Sequence, residues 1–213
     1  MIALGWTEAG VQAPRGIVTV PAGALTLLAV PSAKANTARD ILRLQCFCFD
    51  AGLDFVPLNG RQEASLEDAI AYTKTDEQHV LNALHRLRGK TELTVQVSWT
   101  PPVEEGPEAT CGRAWLWQRQ ARNMARSALA ETAAELLGQL TEPIGLRRTG
   151  VTATLQSCTL SLLLERALVA ETKMLIAHRA RQYDLPAFSL TVSGPWPPAG
   201  FALPTPIRQG HAA

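Results

Sequence analysis

The sequence predicts an α+β protein of two domains, an N-terminal α+β domain at residues 1–90 and a C-terminal ferredoxin-like domain at residues 91–198. Residues 199–213 are predicted to form a flexible tail. Both halves mix short alternating apolar runs with longer runs of helical period. A helical pattern stops at Gly89, a residue suited to ending a helix, and a strand pattern begins at Leu93. The elements of the second half then follow the order strand, helix, strand, strand, helix, strand.

The first half contains four predicted strands and two predicted helices. Its short apolar runs are separated by glycine and proline, which indicates brief strands at residues 2–6, 17–20, 25–30 and 53–58. We expect Asn36 to cap a helix that ends at Gly52. The residues predicted to lie along one side of this helix are Ala38, Ile41, Leu42, Gln45 and Phe49.

The second helix of this half is predicted to be kinked. Ser65 and Asp68 form a capping-box pattern at its start, and Thr75 with Gln78 repeats that pattern in its middle. Glu77 also falls on the apolar stripe of this helix, so we expect a kink or a restart near Thr75.

In the second half, the Pro- and Glu-rich residues 100–110 predict a mobile loop. A long helix follows from Cys111 to about Leu140, and its predicted core stripe is Trp117, Ala121, Met124, Ala125, Ala128, Leu129, Leu136 and Leu140. Strands are predicted at residues 151–155, 160–164 and 188–192, with a helix at 169–183 before the last strand. Because Gly194 is followed by prolines, which lack an amide proton, we expect the last strand to end near it.

This order matches the split β-α-β arrangement of ferredoxin-like domains, a four-stranded antiparallel sheet with both helices on one face. The fold by itself does not define a function. RNA-recognition modules of this topology stack bases on aromatic side chains of their central strands. Residues 93–97 and 160–165 contain no aromatic residue, so the sequence argues against RNA binding by the sheet.

Composition excludes several further classes of function. Twenty Lys and Arg against nineteen Asp and Glu give a net charge of +1, so no general attraction to nucleic acid or to anionic membranes follows. The longest apolar run, Ala24 to Val30, is too short to cross a lipid bilayer. No basic region precedes an apolar segment at the N-terminus, so we expect no secretory signal and a cytoplasmic protein.

The sequence predicts neither a cofactor nor a metal site. Cys46 and Cys48 are separated by one residue rather than two, and no second pair answers them, so we expect the four cysteines to be buried thiols. His79 and His85 lie six positions apart on a helix and cannot share a face as metal ligands, so surface histidines are expected. No phosphate-binding glycine loop and no nucleophile beside a histidine and a carboxylate are evident.

Three segments together resemble the gas vesicle protein F/L family. Residues 87–99 (LRGKTELTVQVSW) resemble the family's Leu-x-Gly-Lys-x-Glu segment, and residues 112–117 (GRAWLW) resemble its Gly-Arg-x-aromatic-Leu. Residues 194–198 (GPWPP) resemble its terminal Thr-Gly-Pro-Trp-Pro-Pro. Residues 55–61 match more loosely, because they lack the family's Phe-Gly, and Ala-Gly-Phe follows Pro198 where the family has Tyr-Ser-Phe. The chain is therefore similar to a divergent member.

The resemblance implies a minor gas vesicle protein that is not an enzyme. Such proteins are implied to help nucleate or assemble the vesicle shell by binding the small, hydrophobic major shell protein and limiting its aggregation. The implied partners are that shell protein and other gas vesicle assembly proteins, and the implied location is the gas vesicle in the cytoplasm. Two alternatives stay open on the residues alone: a small-molecule-binding regulatory module on a ferredoxin-like sheet, and an enzyme with an unrecognised site.

The candidate partner-binding residues are Trp115, Arg119, Arg122, Arg126 and Trp196. The first four lie in a row on the long helix, opposite its predicted core stripe, at spacings of four, three and four. Arginine stacked on tryptophan is typical of interface hot spots, and cations near a helix N-terminus oppose its dipole. The alternative is an ordinary solvated charged face. Trp196 is held between prolines, where either a partner contact or packing on the domain edge is expected.

Overall fold

A computed structural model of the 213-residue chain describes residues 1–58, 65–100, 111–142, 147–153, 156–183 and 187–202, with the backbone alone for 147–153. It divides into two compact units, one formed by Met1–Glu92 with the segment that begins at Pro195, and one formed by Leu93–Gly194. Each unit contains a four-stranded sheet. The predicted loop at residues 100–110 lies outside the described residues, apart from Thr100.

The sheet of the first unit contains β1 (Ile2–Glu8), β2 (Val18–Ala22), β3 (Leu25–Val30) and β4 (Val56–Pro57). Its strand order is β2-β3-β1-β4, and all neighbouring strands are antiparallel. The strands predicted from short apolar runs are therefore present. A Cβ atom at Gly5 would collide with the carbonyl oxygen of Val56, so only glycine permits β4 to approach β1 this closely.

Helix α1 (Ala38–Asp50) is tied to this sheet by a buried amide. Gln45 is buried, and its Nε2 donates to the carbonyl oxygens of Leu4 at 2.8 Å and Leu58 at 2.7 Å. The expected cap at Asn36 is wrong, because Thr37 caps the helix and forms a capping box with Asp40. That reciprocal pair satisfies two orphan backbone amides, which a lone asparagine would not do.

Helix α2 (Leu66–Leu87) has the predicted cap and the predicted kink. The Ser65 side chain accepts from the amide of Asp68, and the backbone leaves helical geometry at Asp76. Directly after the kink, the Glu77 carboxylate accepts a hydrogen bond from the amide of Ala24 in the β2–β3 turn. The kink therefore lets a glutamate on the apolar stripe bind a backbone donor instead of entering the core.

The same helix completes the core around Trp6. Trp6 is buried, its Nε1 donates to Thr73 Oγ1 at 2.8 Å, and Thr73 Oγ1 donates to the carbonyl of Ala69 at 2.8 Å. At the end of α2, Gly89 adopts a φ of 68° and confirms the predicted helix stop. The amide of Gly89 donates to Asp54 Oδ1 at 3.1 Å, which ties this stop to the segment before β4.

The segment after Pro195 packs within the first unit. Thr91 Oγ1 donates to the carbonyl of Trp196 at 2.9 Å, and the Glu92 carboxylate accepts from the amide of Gly200 at 2.7 Å. Arg86 donates to the carbonyl of Phe201 at 2.8 Å, and the Phe201 side chain is 7% exposed. Residues 199–201, predicted to begin a flexible tail, instead form an anchored 3₁₀ turn. Residues 203–213 lie outside the described residues.

The second unit is organised on β5 (Lys90–Trp99), α3 (Gly112–Thr141), β6 (Arg147–Ala153), β7 (Ser157–Glu165), α4 (Val169–Ala180) and β8 (Phe188–Trp196). The strand order is β6-β7-β5-β8, and β6 pairs antiparallel with β7. The core contains inward side chains of the strands and of both helices, among them Leu93, Val95, Leu137, Leu160 and Ile176. The observed α+β class and element order are as predicted.

Several boundaries of this unit differ from the prediction. The strands predicted at residues 151–155 and 160–164 each begin earlier, because β6 begins at Arg147 and β7 begins at Ser157. The last strand continues past Gly194 to Trp196 although Pro195 has no amide proton. Since β8 lies at the edge of the sheet, an amide that would point away from β5 has no strand to bind, and proline is tolerated there.

Candidate partner-binding surface

The last third of α3 is the part of the helix that joins the core. Ala133, Leu136, Leu137 and Leu140 are buried, whereas Leu129 is only partly buried against the same cluster. Arg179 of α4 donates to the carbonyl of Leu140 at 3.1 Å and so satisfies a free carbonyl near the helix end. This end of α3 is held firmly by packing and by a cap.

The remainder of α3 leaves its large apolar side chains in solvent. Trp115 is 48% exposed, Trp117 is 65% exposed and Met124 is 67% exposed, and Leu116 is also exposed. The predicted core stripe is therefore wrong over residues 117–128, where Ala121, Ala125 and Ala128 are exposed as well. A helix of 30 residues is roughly 45 Å long, whereas strands of nine or ten residues span roughly 30 Å, so the sheet cannot cover all of it.

The predicted row of Trp115, Arg119, Arg122 and Arg126 lies on this exposed part of the helix. The guanidinium carbon of Arg119 is 5.3 Å from the centroid of the Trp115 ring, within the range of a cation–π contact. The structure thus brings the first two predicted residues into direct contact, at the i, i+4 spacing of helix neighbours. All four side chains are exposed.

The N-terminus of α3 is poorly stabilised by its own sequence. Its N-cap is Cys111, which makes no side-chain cap bond within the described residues, and no acidic residue occupies the first turn. Arg113 lies there instead, against the helix dipole. The local sequence therefore does not explain why this end of the helix carries two tryptophans and an arginine.

One face of this part of α3 forms an open surface strip. The strip alternates apolar and polar side chains, namely Leu116, Arg119, Gln120, Asn123, Met124, Ser127, Ala128 and Glu131. Apolar area flanked by amides and one charge of each sign is suited to another protein surface rather than to a buried small ligand.

Trp196 belongs to the first unit and is anchored through its backbone. Its carbonyl accepts the hydrogen bond from Thr91, while its ring is 38% exposed. Trp196 therefore combines a fixed backbone with a partly exposed ring.

Sequence reasoning missed Leu116, Trp117 and Met124 as parts of the exposed surface. Trp115, Leu116 and Trp117 are consecutive, and at 100° per residue three consecutive side chains cannot all face one sheet. This run of three is the pattern in the sequence that indicates incomplete burial of the helix.

The described residues offer little reactive chemistry. Burial raises the pKa of the Cys48 thiol to about 11 and also raises the pKa of Cys46 and Cys158, so these thiols are poor nucleophiles near neutral pH. Cys111 is exposed, contrary to the expectation of four buried thiols. Among the described residues, no three His, Cys, Asp or Glu side chains lie together as metal ligands would. In that same part of the chain, none of the helices combines the length and apolar character that a membrane span requires.

Comparison with known proteins identifies the family. The sequence matches the family described as "Gas vesicle synthesis protein GvpL/GvpF" over residues 61–202. The structure is similar to the crystal structure of the gas vesicle protein GvpF from Anabaena sp. PCC7120, with a TM-score of 0.70 and 11% identity, over 99% of this chain and 98% of that chain.

It is also similar to the crystal structure of GvpF from Microcystis aeruginosa, with a TM-score of 0.68 and 9% identity, over 95% of this chain and 98% of that chain. No curated protein sequence matches the chain significantly. The family match covers more than half of the chain, and the resemblance noted in its three motifs is confirmed. The chain belongs to the GvpL/GvpF family of gas vesicle synthesis proteins.

Proposed function

We propose that this protein helps nucleate and assemble the gas vesicle shell by binding the small, hydrophobic major shell protein and limiting its aggregation. The observation that carries the proposal is the exposed part of α3, where Trp115, Trp117 and Met124 are about half or more exposed. Large apolar side chains in water are unfavourable, and tryptophan and arginine together are the residues most enriched in interface hot spots.

The chemistry of this surface suits a hydrophobic partner. Trp115 and Arg119 are already stacked, so the arginine loses less freedom when a partner covers both side chains. Apolar side chains on several sides of the same helix segment offer a partner more contact area than one stripe would. By covering apolar surface of a shell protein before it meets other copies, such a contact would limit aggregation.

We infer that the protein acts without catalysis, in the cytoplasm and at the gas vesicle, together with other gas vesicle assembly proteins. Neither nucleic acid nor a lipid membrane is among the proposed partners. The balanced charge of the chain supports this inference. Membership of a gas vesicle synthesis family supports the location.

We also propose that the second unit is a ferredoxin-like domain and that the domain boundary lies near residues 90 and 91. The order β5-α3-β6-β7-α4-β8 and the strand order β6-β7-β5-β8 support this assignment. Because the segment that begins at Pro195 belongs to the first compact unit, we place the end of the second domain near Gly194 rather than at Pro198.

Charge reversal of the exposed arginines tests the proposed surface. The triple variant Arg119→Glu, Arg122→Glu, Arg126→Glu should lose binding to purified major shell protein, while circular dichroism and thermal unfolding stay near those of the unmodified protein. The matched control reverses three exposed arginines elsewhere, Arg39, Arg43 and Arg181, for the same change in net charge. Equal binding by both variants would place the interface elsewhere.

Trp196→Ala separates the two interpretations of the GPWPP segment. A partner contact predicts weaker shell-protein binding at an unchanged melting temperature, because the Thr91 bond to the backbone carbonyl survives the substitution. A purely structural role predicts a lower melting temperature with binding retained. If neither quantity changes, Trp196 has no part in the interface.

A further inference from the structure

The exposed part of α3 carries a line of side chains with the spacing of a coiled-coil seam. Its six residues follow one another at intervals of four, three, four, three and four positions. These residues form the α3 seam: Arg113, Trp117, Gln120, Met124, Ser127 and Glu131. All six are exposed, including the two large apolar side chains, Trp117 and Met124. The α3 seam is therefore open to contact with a second helix.

The α3 seam lies on the side of the helix that faces away from the core. At 100° per residue, it is opposite to the buried residues Ala133, Leu136 and Leu140. The row from Trp115 to Arg126, which is proposed to bind the shell protein, also lies on a different face. A second helix can thus pack on the seam without displacing the residues that hold α3 on the sheet, and without covering that row.

The two ends of the α3 seam carry opposite charges. Arg113 lies in the first turn of α3, and Glu131 lies eighteen positions later. Neither side chain forms an ion pair with another residue in the part of the chain that the structure describes. Arg113 also opposes the helix dipole, so the helix itself gains nothing from a cation there. This placement suits a partner that presents a carboxylate to Arg113 and a cation to Glu131.

The α3 seam is complementary to itself when two copies run antiparallel. Because its spacing is the same in both directions, each residue of one seam then faces one residue of the other. The three pairs, each formed twice, are Arg113–Glu131, Trp117–Ser127 and Gln120–Met124. They join opposite charges and place a large ring against a small side chain. In a parallel copy, arginine would instead face arginine and glutamate would face glutamate.

We propose that this protein forms a homodimer by antiparallel pairing of two α3 seams. The segment from Arg113 to Glu131 spans roughly 27 Å of helix, so the contact is smaller than a standard interface of about 1,600 Å². We therefore expect a weak dimer, with a dissociation constant of roughly 10–100 µM. Trp117 should contribute most to its stability, because its large ring is 65% exposed in the single chain. The dimer goes beyond shell-protein binding and does not depend on it.

Sedimentation equilibrium of the full chain tests for the dimer. A reductant is included, because the exposed Cys111 could otherwise link two chains through a disulfide. The natural chain should pass from monomer to dimer between roughly 1 µM and 1 mM. A chain that stays monomeric at about 1 mM overturns the proposal.

Two tryptophan variants locate the contact on the helix. Trp117→Ala should weaken dimerisation at least about tenfold, because it removes the largest side chain of the α3 seam. Trp115→Ala is the matched control: it removes the same ring from another face and should change the dissociation constant by less than about twofold. Thermal unfolding of both variants should stay near that of the natural protein, since both rings are exposed. Dimerisation that survives Trp117→Ala undiminished would contradict the proposed contact.

Charge reversal tests the antiparallel register. Arg113→Glu and Glu131→Arg should each weaken dimerisation roughly tenfold, because two attractive contacts become repulsive. A 1:1 mixture of the two variants restores opposite charges in every pair and should dimerise within about threefold of the natural chain. Arg126→Glu, on another face, is the control and should have little effect. Equal weakening by Arg126→Glu, or a mixture that does not recover, contradicts antiparallel pairing.

The dimer and the shell-protein contact can be tested separately. The triple variant Arg119→Glu, Arg122→Glu, Arg126→Glu should still dimerise, because none of its substitutions lies in the α3 seam. Loss of shell-protein binding in that variant would therefore leave the dimer intact. If the natural chain stays monomeric while Trp117→Ala lowers shell-protein binding, the α3 seam contacts the shell protein instead of a second copy, and the proposal is overturned.

Discussion

Helices α2 and α3 are the two longest helices of the chain, with 22 and 30 residues, and they differ in how their apolar side chains are used. In α2 the stripe from Ala69 to Leu87 is buried, the start is capped by Ser65, and acidic residues occupy the first turn. In α3 only the segment from Ala133 onward is buried, and the start has neither a side-chain cap bond nor an acidic residue within the described part of the chain.

Apolar residues on a helix can serve either packing within the chain or binding to another protein. Those of α2 are explained by intramolecular packing, since each buried residue removes apolar surface from water. Those in the first part of α3 are exposed, so packing among the described residues does not account for them. The comparison therefore supports the proposal that the first part of α3 binds a partner.

The largest expected difference in unfolding free energy is between two truncations in α3, one in its buried part and one in its exposed part. Leu137→Ala, at a fully buried position, should lower the free energy of unfolding by about 2–5 kcal/mol, because it leaves a cavity. Met124→Ala, at a position 67% exposed, should change it by less than about 0.5 kcal/mol. Chemical denaturation measures both values. A comparable loss in the two variants would show that the first part of α3 is packed after all.

Replacing one threonine by valine in each helix compares the unfolding free energies of α2 and α3 variants directly. Thr73 and Thr132 both donate to the carbonyl four residues earlier, at 2.8 and 3.0 Å. Thr73→Val also removes the acceptor of the buried Trp6 N–H, so it should cost about 1–3 kcal/mol of unfolding free energy.

Thr132→Val is the matched control, because Thr132 is exposed. Its effect should stay within about 0.5 kcal/mol. Thermal or urea unfolding of the two variants side by side checks the difference. If Thr73→Val proves as mild as Thr132→Val, the Trp6–Thr73 bond contributes little to the core of the first unit.

The smallest expected effect is a difference in labelling rate between two thiols of the natural protein. Cys111, exposed at the start of α3, should react with an aromatic disulfide reagent well before Cys48, which is buried and whose pKa is raised to about 11 by that burial. Mass spectrometry of the peptides gives the order of labelling. Early labelling of Cys48 would indicate local opening of α1, whereas slow labelling of Cys111 would mean that the start of α3 is covered.

The raised pKa of Cys48 also has a consequence for stability. The unfolded thiol, near its ordinary value of 9.0, loses its proton before the folded one does. Stability from this group is therefore complete below about pH 9 and is lost as the pH rises from 9 toward 11. Cys48→Ala should flatten that part of the pH profile.

Local sequence predicted those features that depend on neighbouring residues. The stop at Gly89, the cap at Ser65 and the kink after Thr75 are confirmed because each follows from a few consecutive residues. The cap of α1 was predicted one residue too early, although the pairing of Thr37 with Asp40 was visible at the required spacing.

Features that depend on distant residues could not be predicted from local patterns. Periodicity shows which face of α3 would be buried, but not how far the sheet extends beneath it. The bond between Glu92 and Gly200 joins residues more than a hundred positions apart, and no local pattern indicates it.

Hydrogen–deuterium exchange with and without the major shell protein tests the central claim most directly, because it needs no substitution. Without the partner, amides of residues 133–141 should exchange slowly and those of residues 112–128 should exchange faster, since the latter segment lacks packing. Addition of the shell protein should slow exchange in residues 112–128 at least tenfold and leave residues 133–141 nearly unchanged. Protection of a different segment, with residues 112–128 unaffected, would contradict the account.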